Sequence, residues 1–213
     1  MPWSPGYTGD DERLSDTSHF NGKRIIITEK LDGENITIYS DGYIHARSID
    51  GTAHPSRDFI KNVWHSQKQG SLPMGWHITG EYLYAIHSIE YEKLSNYFFL
   101  INVVDDKGIV QDWDITQQFA RDILDIPIVP TIIEMECGDN WIRMIQANEP
   151  RLMSSSSFGS NQEGYVIRNY GHFPISEYKQ NVAKFVRKGH VDDDVDHWTQ
   201  NWKRATLYKQ LRN

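Results

Sequence analysis

Lys30 is the residue in this chain whose surroundings are best suited to chemistry. It stands in Thr28-Glu29-Lys30-Leu31-Asp32-Gly33-Glu34-Asn35, where an apolar stretch gives way to a polar turn. Other reactive groups recur further on: Arg47, the Glu81 of Gly80-Glu81-Tyr82-Leu83, the Glu163 of Glu163-Gly164-Tyr165-Val166-Ile167-Arg168, and Lys184 with Arg187 and Lys188. A protonated lysine is a poor nucleophile, and its ordinary pKa is about 10.4. Desolvation or neighbouring cations must free the amine, and a metal ion helps. An amine so activated can attack a phosphorus centre if Arg, Lys and a divalent cation neutralise the phosphate. A nucleotide would add two needs, an aromatic shelf for its base and carboxylates for its ribose hydroxyls. Phe98 and Phe99 in Tyr97-Phe98-Phe99-Leu100 and the scattered glutamates answer both.

Taken together and in this order, these segments resemble the motifs of the covalent nucleotidyltransferases, the superfamily of DNA ligases, RNA ligases and mRNA capping enzymes. The resemblance spans about residues 24–188. It makes Lys30 the catalytic nucleophile, Arg47 a phosphate contact, Glu81 a ribose contact, Phe98 the purine-stacking ring and Lys184 the α-phosphate contact. Glu163 and Glu81 would hold the metal, and Glu29 would lie beside the adenine. Asn102 falls where the superfamily often has aspartate.

Lys30-x-x-Gly33-x-Asn35 is similar to the RNA ligase branch, the phage T4 RNA ligase 2-like enzymes. The wider stretches around Lys30, through His45-Ala46-Arg47-Ser48, His54-Pro55-Ser56-Arg57-Asp58 and the later His190 and His197, look like a bacterial and phage group of small RNA-ligase-domain proteins. That implies an ATP-dependent RNA ligase. Lys30 takes AMP from ATP as a covalent intermediate, AMP passes to a 5′-phosphate RNA end, and a 3′-hydroxyl displaces it, with Mg²⁺ or Mn²⁺ as cofactor. Asn35, Arg187 and Lys188 would bind the RNA end or a nicked RNA duplex. Alternatives on the same motifs are a DNA ligase, a GTP-dependent capping-type enzyme, or a non-catalytic nucleotide or RNA-end binding module. The resemblance also departs from pattern. Val186 stands where many ligases have the second lysine of Lys-x-Lys, and about residues 189–213 are too short for an OB-fold. Self-adenylylation is therefore expected with weak sealing, or sealing that needs a partner protein to clamp the nucleic acid.

Bulk properties set the frame. The chain has 213 residues and a net charge of −7, which argues against a protein that coats nucleic acid by charge alone. No apolar run reaches membrane-span length, the first residues lack a secretory pattern, and one cysteine, Cys137, excludes an internal disulfide. A cytoplasmic protein with no membrane partner is expected. The other histidines share no ligand spacing.

The elements that must position Lys30 follow from residue pattern. Arg24 to Glu29, with Ile25-Ile26-Ile27, predicts a buried strand. Residues 35–40 and 43–48 predict a hairpin about Asp41-Gly42, where both turn positions tolerate positive φ. A helix is expected from Pro55, with Phe59, Ile60, Val63 and Trp64 inward and a stop near Gly70. Strands are expected at 77–83, 97–104, 164–169 and 182–186. Helices are expected at 114–124 (capped by Asp114 and Gln117, with Ile115, Phe119 and Ile123 inward), at 139–146, and at 199–211. Ser154 to Ser157 reads as a mobile polar loop. The organisation expected is an irregular arm (1–22), an adenylyltransferase domain (23–190), and a short acidic loop and basic helix (191–213). The fold class is α+β, an ATP-grasp-like nucleotidyltransferase domain of mainly antiparallel sheets with flanking helices and no separate OB-fold domain.

Overall fold

The computed structural model describes residues 1, 4, 14, 16–46, 54–187 and 202–208. Two antiparallel sheets organise them, with helices on their outer surfaces. In chain order the strands are β1 (Arg24–Lys30), β2 (Glu34–Tyr39), β3 (Ile44–Ala46), β4 (His77–Tyr82), β5 (Phe98–Val104), β6 (Ile109–Val110), β7 (Thr131–Glu136), β8 (Gly164–Asn169), β9 (Phe173–Pro174) and β10 (Val182–Val186). The first sheet runs β10-β8-β1-β7 and the second β3-β2-β4-β5-β6-β9. This is the expected α+β, mainly antiparallel architecture, and no closed barrel forms among the described residues.

The core follows from strand alternation. Ile25 and Ile27 of β1, Tyr165 and Ile167 of β8, and Ala183 and Phe185 of β10 line one face of the first sheet and pack on α3 (Trp141–Ala147) and α4 (Glu149–Leu152). Cys137 is buried there, and burial pushes its thiol to about 11, which suits a core residue and not a nucleophile. In the second sheet Ile36, Ile38 and Ile78 are fully buried on the face covered by the Pro55–Arg57 turn, α1 (Asp58–Val63) and a wider turn at Trp64–Lys68. Tyr82 donates its hydroxyl to the Ser56 carbonyl at 2.8 Å, and Glu34 pairs with Arg57, so the start of β2 is fastened to this layer.

Several local expectations are corrected. The hairpin at Asp41-Gly42 uses positive φ only at Gly42 (+89°), and the Gly42 N–H donates to the Tyr39 carbonyl, the three-residue loop type. In α1 Ile60 is buried but Phe59 is 39% exposed, because its ring stacks outward on Tyr84. The helix predicted at 114–124 starts earlier, as α2 (Trp113–Gln118) continued by Phe119–Leu124, and its cap is Asp112, which accepts from the Ile115 N–H. Burying Trp113 rotates the helix, so Thr116, Ala120 and Leu124 face inward while Ile115 and Ile123 are exposed. Asp114 instead accepts the Tyr170 hydroxyl at 2.7 Å. The edge strand β7 carries no strong signal, because its half-exposed TIIEME run mixes glutamates with isoleucines. Ser154 to Ser157 is not loose: Ser156 is buried and its N–H donates to the Ser160 carbonyl.

The C-terminal helix is corrected as well. Residues 202–208 are extended, with Arg204 bridging Ala85 and the Ala205 and Tyr208 N–H groups donating to the carbonyls of Tyr84 and Leu94. The irregular connection between β4 and β5 offers unpaired backbone groups, and the tail satisfies them. The last strands are held together by Arg168 of β8. It donates to the carbonyls of Ile101 and Gln111 and to Asn102 Oδ1, and its guanidinium lies over Trp113 and Phe173. The small helix α5 (Tyr178–Asn181) closes this corner.

Candidate active site

Lys30 ends β1 directly across from Gly164 of β8, the residue after Glu163. That register brings the amine and the glutamate together, and Lys30 Nζ donates to Glu163 Oε1 in an ion pair. The strands can approach this closely because residue 164 has no side chain. A Cβ there would stand 1.9 Å from the Phe185 carbonyl oxygen of β10. Gly33 serves the same way against the end of β4, where a Cβ would lie 2.6 Å from the Tyr82 carbonyl oxygen. Its backbone is not left-handed, so close approach, not turn geometry, demands this glycine.

Asp32 holds the nucleophile loop. Its carboxylate accepts from the Ser88 N–H and hydroxyl and from the Ile89 N–H, while its own N–H donates to the Tyr91 hydroxyl at 2.8 Å. Tyr91 and Ser88 carry no sequence signal, because they belong to an irregular segment that only tertiary contact brings to Lys30. Asn35 stands across from Glu81 between β2 and β4, and Glu81 Oε1 accepts the Gly33 N–H at 3.1 Å. Glu81 thus faces the same space as Lys30.

The electrostatics hold Lys30 as an ammonium, the reverse of the freed amine that the sequence reading calls for. Burial draws the Lys30 amine down, but Glu163, Glu81 and Asp32 outweigh it and hold its pKa above the usual lysine value. Burial raises Glu81 to about 7, against the pull of Lys30 and with a push from Glu163. Two carboxylates beside one ammonium leave a surplus negative charge, the environment that a divalent cation and the phosphates of a nucleotide would complete. Mg²⁺ is commonly held by one or two carboxylates with the rest of its shell from phosphate and water. Glu163 and Glu81 fit that donor set, and no group of three metal-ligating side chains occurs among the described residues. The raised Glu81 value has a stability consequence. The folded state holds this proton more tightly than the unfolded chain does, so its contribution is full below about pH 4.5 and is lost as pH rises through about 7. Glu81→Gln should therefore gain thermal stability relative to wild type across that window, by a few degrees at pH 8, in melting curves taken from pH 5 to 8.

The other sequence-predicted residues are placed as follows. Glu29 is 3% exposed, takes the Ser157 N–H on Oε2 at 3.0 Å, and leaves Oε1 buried with no hydrogen-bond partner among the described residues. Lys184 stands on β10 across from Val166, on the same sheet face as Lys30. Arg187 follows β10, and its N–H donates to the Glu163 carbonyl at 3.1 Å. Phe98 pairs with Tyr82 and fills the space above Gly80, on the helix-covered face of the sheet, whereas Phe99 pairs with Glu81 and packs on Phe158 (ring centroids 4.9 Å apart). Asn102 bonds Arg168, Thr79 and Tyr178. Arg47, Lys188, His190, His197 and the acidic run lie outside the described residues.

The chain matches the RNA ligase family model over residues 23–186. The chain belongs to the RNA ligase family. No curated protein sequence matches it. Among solved structures this family member resembles the Naegleria gruberi RNA ligase with PPi, at 21% identity and a TM-score of 0.53 over 82% of this chain and 52% of that one. A mutant of the same ligase with ATP and Mn gives 18% identity and a TM-score of 0.55, over 86% and 57% of the two chains. Another mutant, with AMP and Mn, gives 18% and 0.52 over 82% and 52%. At these identities the likeness is one of fold, and the chain spans about half the length of those ligases. No helix among the described residues is long and apolar enough to cross a membrane.

Proposed function

We propose that this chain is an ATP-dependent RNA ligase that carries AMP on Lys30. The observation that carries this reading is the Lys30 amine, seated at a strand end against Glu163 with Glu81 facing the same space. In the first step the Lys30 nitrogen attacks the α-phosphorus of ATP. A P–N bond forms, the P–O bond to pyrophosphate breaks, and the nitrogen gives up two protons in all, one before attack and one after. Glu163, already hydrogen-bonded to the ammonium, is the nearest base. Bound Mg²⁺ or Mn²⁺, held by Glu163 and Glu81, would neutralise charge on the phosphates.

The remaining residues divide the nucleotide between them. The open Oε1 of Glu29 suits the amino group of adenine, a donor that would satisfy a buried acceptor. Phe99 and Phe158 provide the aromatic wall in place of Phe98, which faces the other side of the sheet, Glu81 the ribose contact, and Lys184 and Arg47 the phosphate contacts. AMP then moves to a 5′-phosphate RNA end, bound by Asn35, Arg187 and Lys188, and a 3′-hydroxyl displaces it. A clamp for duplex RNA, on further chain or on a partner protein, would complete efficient sealing.

Intact mass after incubation with ATP and Mg²⁺ or Mn²⁺ tests the first step. One added AMP per chain is expected, stable to denaturation and released by acid. No adduct with either metal refutes the reading, and an adduct from GTP alone moves it to a capping-type enzyme.

A further inference from the structure

Opposite its helix-covered face, the second sheet is buried at β5, where Phe99, Asn102 and Val104 lie, but half open towards its β3-β2 edge. The helix-covered face carries Ile36, Ile38 and Ile78, all at 0% exposure. On the other face Asn35, Thr37 and Tyr39 of β2 alternate outward and are each partly exposed. The register sets Thr37 beside His45 and Thr79, and Tyr39 beside His77. Tyr43, 62% exposed at the hairpin end, extends the row. Tyr39 is its centre: its ring lies 5.8 Å from Tyr43, 5.6 Å from His45 and 5.1 Å from His77. The His45 Nδ1 points at the Ala46 carbonyl at 2.8 Å, so that nitrogen bears a proton, and Nε2 meets the Tyr39 hydroxyl at 3.1 Å. These histidines share no ligand spacing in the sequence, and the sheet gathers them with aromatic rings.

This row begins at the reaction centre. Asn35 is paired with Glu81, which neighbours Lys30. From Asn35 to Tyr39 the strand rises about 13 Å, the length of roughly two to four nucleotides. In a chain of net charge −7, Glu81 is the one carboxylate on this row among the described residues, at its inner end. The nearest acid at the outer end, Asp41, is turned to the Tyr43 N–H at 2.9 Å. Aromatic rings with hydrogen-bonding neighbours and no opposing charge are the composition of a stacking platform for single-stranded nucleic acid.

We propose that this face carries the single-stranded RNA end adjoining the reacting nucleotide. Tyr39 and Tyr43 stack on successive bases, and His77 and Thr37 donate to phosphates or 2′-hydroxyls. The inference rests on the RNA ligase reading above and extends it to a surface outside the nucleotide pocket.

The test separates the two. Full-length wild type, Tyr43→Ala, Tyr39→Ala/Tyr43→Ala and Tyr39→Phe are compared in two assays: AMP adduct formation by intact mass, and binding of a short 5′-phosphorylated single-stranded RNA by fluorescence polarisation. The expected result is RNA affinity about 5- to 100-fold weaker in the alanine variants, with adduct formation within about twofold of wild type and Tyr39→Phe close to wild type. If wild type forms the adduct and binds RNA, and the alanine variants bind it equally well, the proposed face is wrong and the ligase reading stands. The same holds if the variants change only the sedimentation behaviour, which would make the face a contact between copies of the chain. A wild type that forms no adduct overturns the reading on which the face depends.

Discussion

Lys30→Arg should abolish the AMP adduct while leaving the fold intact. Arginine keeps the positive charge that Glu163, Glu81 and Asp32 surround, so the ion pair that replaces Lys30–Glu163 still balances the carboxylates. It stays protonated at any working pH, however, and a guanidinium has no free lone pair with which to attack phosphorus. The expected loss of labelling from α-labelled ATP is at least about a thousandfold, with a melting temperature within a few degrees of wild type. Lys30→Ala should lose the adduct equally but also leave two carboxylates facing each other without their cation. The pair of variants thus separates chemistry from stability. A labelled band of wild-type strength in Lys30→Arg would place the nucleophile on another residue.

The second large effect concerns Arg168, which lies in the same sequence segment as Glu163 yet does structural work. Its guanidinium is buried, and burial lowers its pKa to about 10, with no carboxylate among the described residues hydrogen-bonded to it. What compensates the charge is a set of oxygens: the carbonyls of Ile101 and Gln111 and Oδ1 of Asn102, with the Trp113 and Phe173 rings alongside. Two of these acceptors, on Ile101 and Asn102, belong to β5 of the second sheet and the third, on Gln111, lies just before α2, while Arg168 belongs to the first sheet. Arg168→Ala removes the donor from three buried oxygens and opens a void between the sheets. A loss of about 3–5 kcal/mol is expected, or roughly 6–20 °C in melting temperature for a chain of this size. Arg168→Lys should recover only part of it, since an ammonium cannot reach three acceptors set by a planar fork. A melting temperature within about 2 °C of wild type in Arg168→Ala would show that the guanidinium is not the strut between the sheets.

Arg168 also explains Asn102. A position where the superfamily often has a carboxylate carries a neutral amide here. Its oxygen takes the arginine while its nitrogen donates to Thr79 and Tyr178. Nothing in either residue's own segment announces that partnership, because β5 and β8 are far apart in the chain.

The contrast between legible and illegible features has a consistent physical basis. Strands β2, β4 and β10 could be read directly because buried and half-exposed positions alternate on a period of two, and β1, β5 and β8 because they are short, nearly continuous buried runs rich in β-branched and aromatic residues. Lys30, Glu81 and Glu163 could be named because their chemistry depends on residue type at strand ends, which local sequence determines. What only the tertiary structure decided is everything set by contact between distant segments. The strand register put Glu163 on Lys30 and gave the Glu81 face to Phe99, with Phe98 on the other side. The burial of Trp113 turned α2 so that two isoleucines point outward. The segment holding Ser88 and Tyr91, and the extended tail against Tyr84 and Leu94, are ordered by backbone groups that must find partners once buried. Their residue types carry no periodic signal, so only the folded chain could show where they go.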